Sequence, residues 1–385
     1  MIIRNGNVFT EEGTFKKSDV IITESRIETI TTDAAQADEN ILNAEDCYVV
    51  PGLVDIHFHG CDGHDFCEAT EEAFRKITRY ELTHGITSVC PATMTLSKEE
   101  LTKICQNASA FAEAQKKDND HTKGSALAGI HLEGPYFSYE KRGAQNPEFL
   151  RDPDIDEVEH LISASNHLVK ILSIAPELPG SMEAIAALKD KIVISVAHTA
   201  ADYDLASEAF KQGASHVTHL FNAMNPFSHR APGVVGAAFD APGCDVELIC
   251  DGIHINPSMV RAVFQLFSDQ HVILVSDSMM ATGMPDGDYT LGGQAVKVTG
   301  NLATLESGTI AGSATNLFDC MRTAVSMGIP LESALRAASM NPARSIGIDS
   351  HAGSIAAGKD ADILILNKDL SIRTIIAKGQ KVSMS

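Results

Sequence analysis

The segment VDIHFHG places His57 and His59 two residues apart. On an extended strand, residues i and i+2 share a face. The spacing therefore predicts two imidazoles on one inward face, half of a divalent-metal site. Asp55 falls on the same face by this count and reads as an interior hydrogen-bond partner, not a ligand. The run GIHLEGP ends on Glu133. A carboxylate leaving an apolar strand is costly unless it is paired or metal-bound. His131 faces the same way one layer deeper and reads as structural. SVAHT, THLFNAM and LVSDS end on His198, His219 and Asp277. His216, three residues before His219, is expected to point the other way and pack. Each residue alone could be a hydrogen-bonded core group; together these strand ends read as a metal hydrolase site. Ligands of His, Glu and Asp type suit Zn, Fe, Mn or Co. Cys61 as a soft ligand is disfavoured because the strand has ended before it. Asp277 is the candidate proton carrier: water on a metal reaches a pKa of about 7, and an adjacent carboxylate can take its proton and deliver it to a leaving nitrogen.

These residues need a scaffold that gathers strand ends. Apolar runs at 49–56, 87–91, 126–132, 169–175, 192–197, 215–220, 246–250 and 272–276 alternate with helical patterns such as 71–83, 98–115, 257–267 and 314–327. That alternation predicts an α/β chain, a (β/α)8 TIM barrel whose site lies at the C-terminal ends of its strands. A doubly wound open sheet is the rival, but no GxGxxG follows the first strand. Strand-like segments at 1–10, 20–23, 26–31, 361–367 and 372–382 predict a small β-sandwich domain formed from both termini. The expected boundaries are 1–50 with 350–385 for that domain, and 51–349 for the barrel. Residues 284–308 read as an inserted hairpin.

Composition narrows the partners. The chain has 385 residues, 44% hydrophobic and only 5% aromatic, so its apolar mass is aliphatic, as buried parallel strands require. Thirty Lys and Arg against 51 Asp and Glu give a formal charge of −21. Such a surface repels nucleic acid and acidic membranes, and an anionic substrate needs cations placed locally. No signal peptide or bilayer-length apolar run is found. The eight cysteines lack CxxC pairing and read as reduced thiols of a cytoplasmic protein.

The motifs PGLVDIHFHG, HLEGPY, AHTAADY, THLFNAMNPFSHRAPG, DGIHINP, SDSMMATG and GTIAGSATNL resemble those of the N-acetylglucosamine-6-phosphate deacetylase family, within the amidohydrolase superfamily. The resemblance spans nearly the whole chain. It implies hydrolysis of an N-acetylated amino-sugar phosphate, with Glu133, His198 and His219 holding the principal metal. His57 and His59 match the pair that binds a second metal in some members, with Glu133 bridging. Asp277 matches the catalytic acid/base and His254 a substrate-binding histidine; on strand counting alone, His254 ends the seventh strand and faces the same mouth. Arg230 matches a phosphate-binding arginine supplied by the neighbouring subunit of a homodimer. By residue type alone Arg230 reads as a surface ion pair, although its planar fork suits phosphate. Asn222 and Ala223 match a phosphate-contacting turn, which could lend backbone N–H groups. Ile310 matches an apolar wall near the acetyl group. Gln145 stands where some members carry a histidine, and both types can hydrogen-bond a sugar hydroxyl. Two other readings are a cyclic-amide hydrolase or deaminase, whose two metals are commonly bridged by a carboxylated Lys, and a non-catalytic scaffold. No Lys falls on the eight strand ends, and no ligand is missing.

Overall fold

The computed structural model describes residues 1–32 and 40–383. Both termini contribute to one sheet. Ile2–Phe9 lies beside Phe15–Thr23 and Tyr48–Pro51, and Tyr48–Pro51 pairs antiparallel with Ile363–Leu366. Val8, Val20, Val49, Ile363 and Ile376 form its buried face.

The run 49–56, read as one strand, is two. Its first half belongs to the terminal sheet, whereas Leu53–Asp55 pairs in parallel with Ile86–Val89. The break is Gly52. Its N–H donates to the Asp362 carbonyl at 2.9 Å, while the next N–H, of Leu53, donates to Gly85 at 3.0 Å. A Cβ on Gly52 would lie 2.2 Å from Thr87 Oγ1, so only glycine fits the seam.

Leu53–Asp55, Ile86–Val89 and Ala126–Leu127 form a three-stranded parallel sheet. Ile130–Glu133, Val169–Ile174, Val193–Val196, His216–Val217, Asp245–Ile249 and Val272–Val275 form a six-stranded parallel one. Backbone bonds join the two on both flanks: His131 N–H to Pro91 O (2.9 Å) on one, Asp277 N–H to His57 O (2.9 Å) and His59 N–H to Ser278 O (2.7 Å) on the other. Ala126–Leu127 and Ile130–Glu133 are two pieces of the run expected as one strand; between the other successive strands run helices that cover the outer face, which is why the strand sequences are largely apolar. Every strand except the third, which runs through Glu133, stops short of its expected end; the seventh ends at Ile249, so His254 lies in the loop beyond it and does not end the strand. The segment 284–308 is more than a hairpin: Gly287–Leu291, Gln294–Thr299, Leu302–Leu305 and Ile310–Ser313 make a four-stranded antiparallel sheet, tied back by Ser313 N–H to Asp277 O at 2.7 Å.

The helix Glu71–Thr83 starts at Thr70, whose hydroxyl accepts the Ala73 N–H. Its buried stripe is Phe74, Ile77, Thr78 and, against its residue type, Glu81. Neither Glu81 carboxyl oxygen has a hydrogen-bond partner. Burial and the nearby Asp55 carboxyl push its pKa up to about 8. Asp55 itself is pushed up to about 7 by burial, which outweighs its bonds from Ser276 Oγ (2.5 Å) and the His57 N–H (3.1 Å). Asp55 thus departs from the face expected for it. Val54 and Ile56 join the interior cluster with Ile171, Ile249 and Ile273, while Asp55 lies toward Glu81 and Cys320 of the outer helices.

A pH dependence follows. In the unfolded chain Glu81 titrates near 4.5, so above that pH the native state holds a proton that the unfolded chain has released. Its contribution to stability is complete below about pH 4.5 and is lost as pH rises toward 8, by about 1.4 kcal/mol per unit. Glu81→Gln, neutral throughout, is expected to gain melting temperature over the wild type progressively from about pH 5 to pH 8. Calorimetric melts at both ends check this; the same difference at each pH would contradict a protonated Glu81.

Candidate metal centre

The strand tips deliver their side chains by leaving regular β geometry. His198, His219 and Asp277 have φ of 44°, 30° and 48°, left-handed conformations costing of order 1–3 kcal/mol for non-glycine residues. Glu133 is followed by Gly134 at φ 97°, where a Cβ would sit 2.3 Å from Thr95 Oγ1. The twist at His219 also explains His216. The strand ends at Val217, so alternation cannot be counted back from His219. His216 does not point away; it is buried in the interior, its Nδ1 2.9 Å from Ser195 Oγ.

The buried side chains converge. Glu133 Oε1 lies 3.1 Å from Nε2 of both His198 and His219, which are 3.1 Å from each other. The same oxygen is 3.5 Å from His57 Nε2, and Oε2 is 3.2 Å from His59 Nε2. Asp277 Oδ1 lies 3.4 Å from His59 Nε2 and 3.8 Å from His57 Nε2. Besides a deeper group of His57, His131 and Glu247, two triplets at the strand tips have ligand-type atoms all within 4.8 Å of one another: Glu133, His198 and His219, and His57, His59 and Asp277. Glu133 spans both.

The protons support a cation here. The His198 Nδ1–H donates to the Lys141 carbonyl at 2.9 Å, which leaves Nε2 as a lone pair facing a carboxylate and another imidazole. Phe137 stacks on the same ring at 4.3 Å. His57 Nε2 is buried without a hydrogen-bond partner. The field is negative. Burial opposes the charge on His59, yet Asp277 and Glu133 push its pKa up to about 10. Burial raises Glu133, but His57, His198 and His219 outweigh it and hold the carboxyl well below the usual range. Asp277 is likewise lowered, with burial outweighed by His59 and His57. Such a cage binds positive charge, as protons or as a divalent ion, and its N and O donors fit a borderline metal.

A cavity of about 510 Å³ opens over these groups. His254, Asn222, Ala223 and Ile310 line it. The His254 Nδ1 is 2.7 Å from Asp251 Oδ2, which leaves Nε2 as the ring's free nitrogen. Asn222 donates its amide to the His219 carbonyl (3.2 Å), and Phe221 and Ala223 have φ of 78° and 52°. Gln145 also lines the cavity, but both ends of its amide are engaged by the protein: Nε2 donates to Glu133 Oε2 (2.9 Å), and Oε1 accepts the Thr95 N–H (2.7 Å). Arg230 is exposed, stands outside the cavity lining, and makes no ion pair among the described residues. Cys61 is buried, its Sγ 3.7 Å from the Ile77 carbonyl and apart from both triplets.

The amidohydrolase family model matches residues 48–382. The chain belongs to the amidohydrolase family. Among amidohydrolases it is 35% identical over 383 residues to N-acetylglucosamine-6-phosphate deacetylase of Bacillus subtilis (strain 168), covering 98% of this chain and 96% of that one. It is 31% identical over 387 residues to N-acetylgalactosamine-6-phosphate deacetylase of Escherichia coli O157:H7, covering 99% of each. Its fold superposes with a TM-score of 0.91, at 34% identity and covering 100% of this chain and 99% of that one, on an aspartate-to-alanine variant of N-acetyl-D-glucosamine-6-phosphate deacetylase from Mycobacterium smegmatis in complex with N-acetyl-D-glucosamine-6-phosphate.

Two acids of this amidohydrolase centre escaped the sequence reading. Glu247 is fully buried inside the sheets, its Oε2 2.7 Å from His57 Nδ1, and Asp251 holds His254. The signal for Glu247 was present: a carboxylate within the apolar run DVELI meets the burial argument applied to Glu133.

Proposed function

We propose that this chain hydrolyses N-acetylglucosamine 6-phosphate to glucosamine 6-phosphate and acetate, in amino-sugar breakdown or recycling in the cytoplasm. The observation that carries this reading is the double use of Glu133, whose two oxygens face His198 and His219 on one side and His59 on the other. We take 51–349 as the catalytic unit, a closed (β/α)8 barrel, and 1–50 with 350–385 as a β-sandwich. Glu133, His198 and His219 would hold one ion of Zn, Fe, Mn or Co, and His57 and His59 a second with Glu133 bridging. With two ions bound, Glu133 would take the place that a carboxylated Lys commonly fills in cyclic-amide hydrolases and deaminases. Eight free cysteines agree with a reducing compartment, and no helix among the described residues is long and apolar enough to cross a membrane.

A divalent ion held there lowers the pKa of water to about 7 and polarises a carbonyl oxygen. Asp277, ionised at neutral pH because its pKa is lowered, accepts a proton from the attacking water and returns it to the leaving nitrogen. Burial opposes a charge on His254, but Asp251 outweighs it and raises the pKa of the ring, so that as imidazolium it donates Nε2–H to the oxygen on which negative charge develops. Ile310 forms the apolar wall beside the acetyl methyl. Asn222 and Ala223 receive the phosphate with their turn, and Gln145 steadies Glu133. Arg230, exposed and outside its own chain's cavity, would complete the phosphate site of the neighbouring subunit in a homodimer.

Acetate release from N-acetylglucosamine 6-phosphate by metal-reconstituted protein tests the reading, with the galactosamine epimer and unphosphorylated N-acetylglucosamine as comparisons. Release from the 6-phosphate alone is expected. No acetate, or equal rates with and without phosphate, would overturn the substrate assignment. Arg230→Ala is expected to raise KM by about 10–100-fold with a smaller change in kcat, the loss of one charge-assisted bond to phosphate. An unchanged KM in steady-state kinetics would remove Arg230 from the site.

A further inference from the structure

Glu247 sits in the middle of the Asp245–Ile249 strand, fully buried. Its Oε2 receives two bonds, one from each half of the centre above it: His57 Nδ1 at 2.7 Å and the His219 backbone N–H at 3.1 Å. Its own carbonyl accepts the Leu220 N–H at 2.9 Å, so this one residue grips the turn that carries His219 at φ 30°. The other oxygen, Oε1, lies 3.9 Å from His131 Nδ1 and 3.8 Å from His216 Nε2 and is hydrogen-bonded to neither.

His57, His131 and Glu247 are close enough to suggest an ion of their own, but the hydrogen bonds of His131 exclude it. Its Nδ1 donates to the Ile56 carbonyl at 3.1 Å and therefore bears the ring proton on the side facing Glu247. Its Nε2 is taken by Ser173 Oγ at 2.7 Å. No lone pair of His131 faces the would-be ion. His57 Nδ1, against a carboxylate, is also the protonated nitrogen, which leaves Nε2 as the lone pair aimed at Glu133.

We propose that Glu247 is a positioning residue for the metal centre: it fixes the tautomer and ring of His57 so that Nε2 is a ligand, and holds the His219 turn with the same oxygen. Carboxylate–histidine–metal chains of this kind tune affinity by about 10–100-fold. Here a single carboxylate ties the two halves together. The inference rests on His57 being a ligand, as proposed above, and not on the identity of the sugar.

The test is Zn2+ titration of chelator-stripped full-length protein by calorimetry, with bound metal counted by mass spectrometry, for wild type, Glu247→Gln, His57→Ala and the double variant. Glu247→Gln is expected to weaken the His57-dependent ion about 10–100-fold, and to cost at least tenfold less in the His57→Ala background. Equal losses in both backgrounds, or an unchanged isotherm for Glu247→Gln, would overturn the positioning role while leaving His57 a ligand. An unchanged isotherm for His57→Ala would overturn both that role and the two-ion reading beneath it. Should Glu247→Gln fail to fold, 15N-histidine spectra of the wild type decide. A proton on His57 Nδ1, and an Nε2 resonance that moves on adding Zn2+, support the proposal; a proton on Nε2 rejects it.

Discussion

Asp277→Asn is expected to retain metal and lose about 10²–10⁴-fold in kcat, the range for a general acid–base group. The substitution preserves shape and removes the charge that makes the side chain a base. Asp277 is well suited to carry a proton, being buried yet held ionised by His59 and His57. It is also placed by backbone alone: its N–H donates to His57 and its carbonyl accepts from Ser313, so the amide variant should keep the left-handed turn. Turnover and metal content measured on the same preparation check the result. Near-normal turnover at full metal occupancy would show that the proton travels by another group.

Glu133→Ala is expected to do more, abolishing both ion binding and turnover. Its two oxygens are the contact between the His198–His219 pair and the His57–His59 pair. Without it, four imidazoles face a space with one remaining carboxylate, Asp277, near one edge. An ion that binds only the native state stabilises it by about 2.7 kcal/mol at a hundredfold excess over Kd. Chelation should therefore lower the melting temperature of the wild type and leave that of Glu133→Ala unmoved. A variant that still holds one ion per chain, with a melt sensitive to chelator, would mean that Glu133 is not the shared ligand.

The tips were legible because of a contrast: Glu133, His198, His219 and Asp277 each end an apolar run with a group that does not belong in one. The extent of the strands was not, because strand length depends on pairing partners far away in sequence. His216–Val217 is two residues long within a six-residue apolar stretch, and that shortening undid the alternation argument for His216. Asp55 failed for a related reason. His57 and His59 lie beyond the end of Leu53–Asp55, so period-two counting does not carry from one to the others. The left-handed turns at His198, His219 and Asp277 leave no mark in composition, since none of the three is glycine. Glu247 lies mid-strand, so the contrast that marks the tips does not single it out, although it supports His57 from below. Arg230 is exposed and outside the cavity of its own chain, so its residue type and place mark it only as a surface arginine.

The junction at Gly52 has a consequence for how this chain tolerates change. Six residues lie between Pro51 and Phe58, and within them the backbone passes from a ladder anchored on the C-terminal strand Ile363–Leu366 to the loop that presents two imidazoles. The last strands of the polypeptide therefore help set the depth of His57 and His59, although they lie more than 300 residues downstream. A one-residue slip of that ladder would reverse which side chains face inward. Trimming the carboxyl end back past Ile363, remote from any reacting atom, should disable the enzyme as surely as losing a ligand.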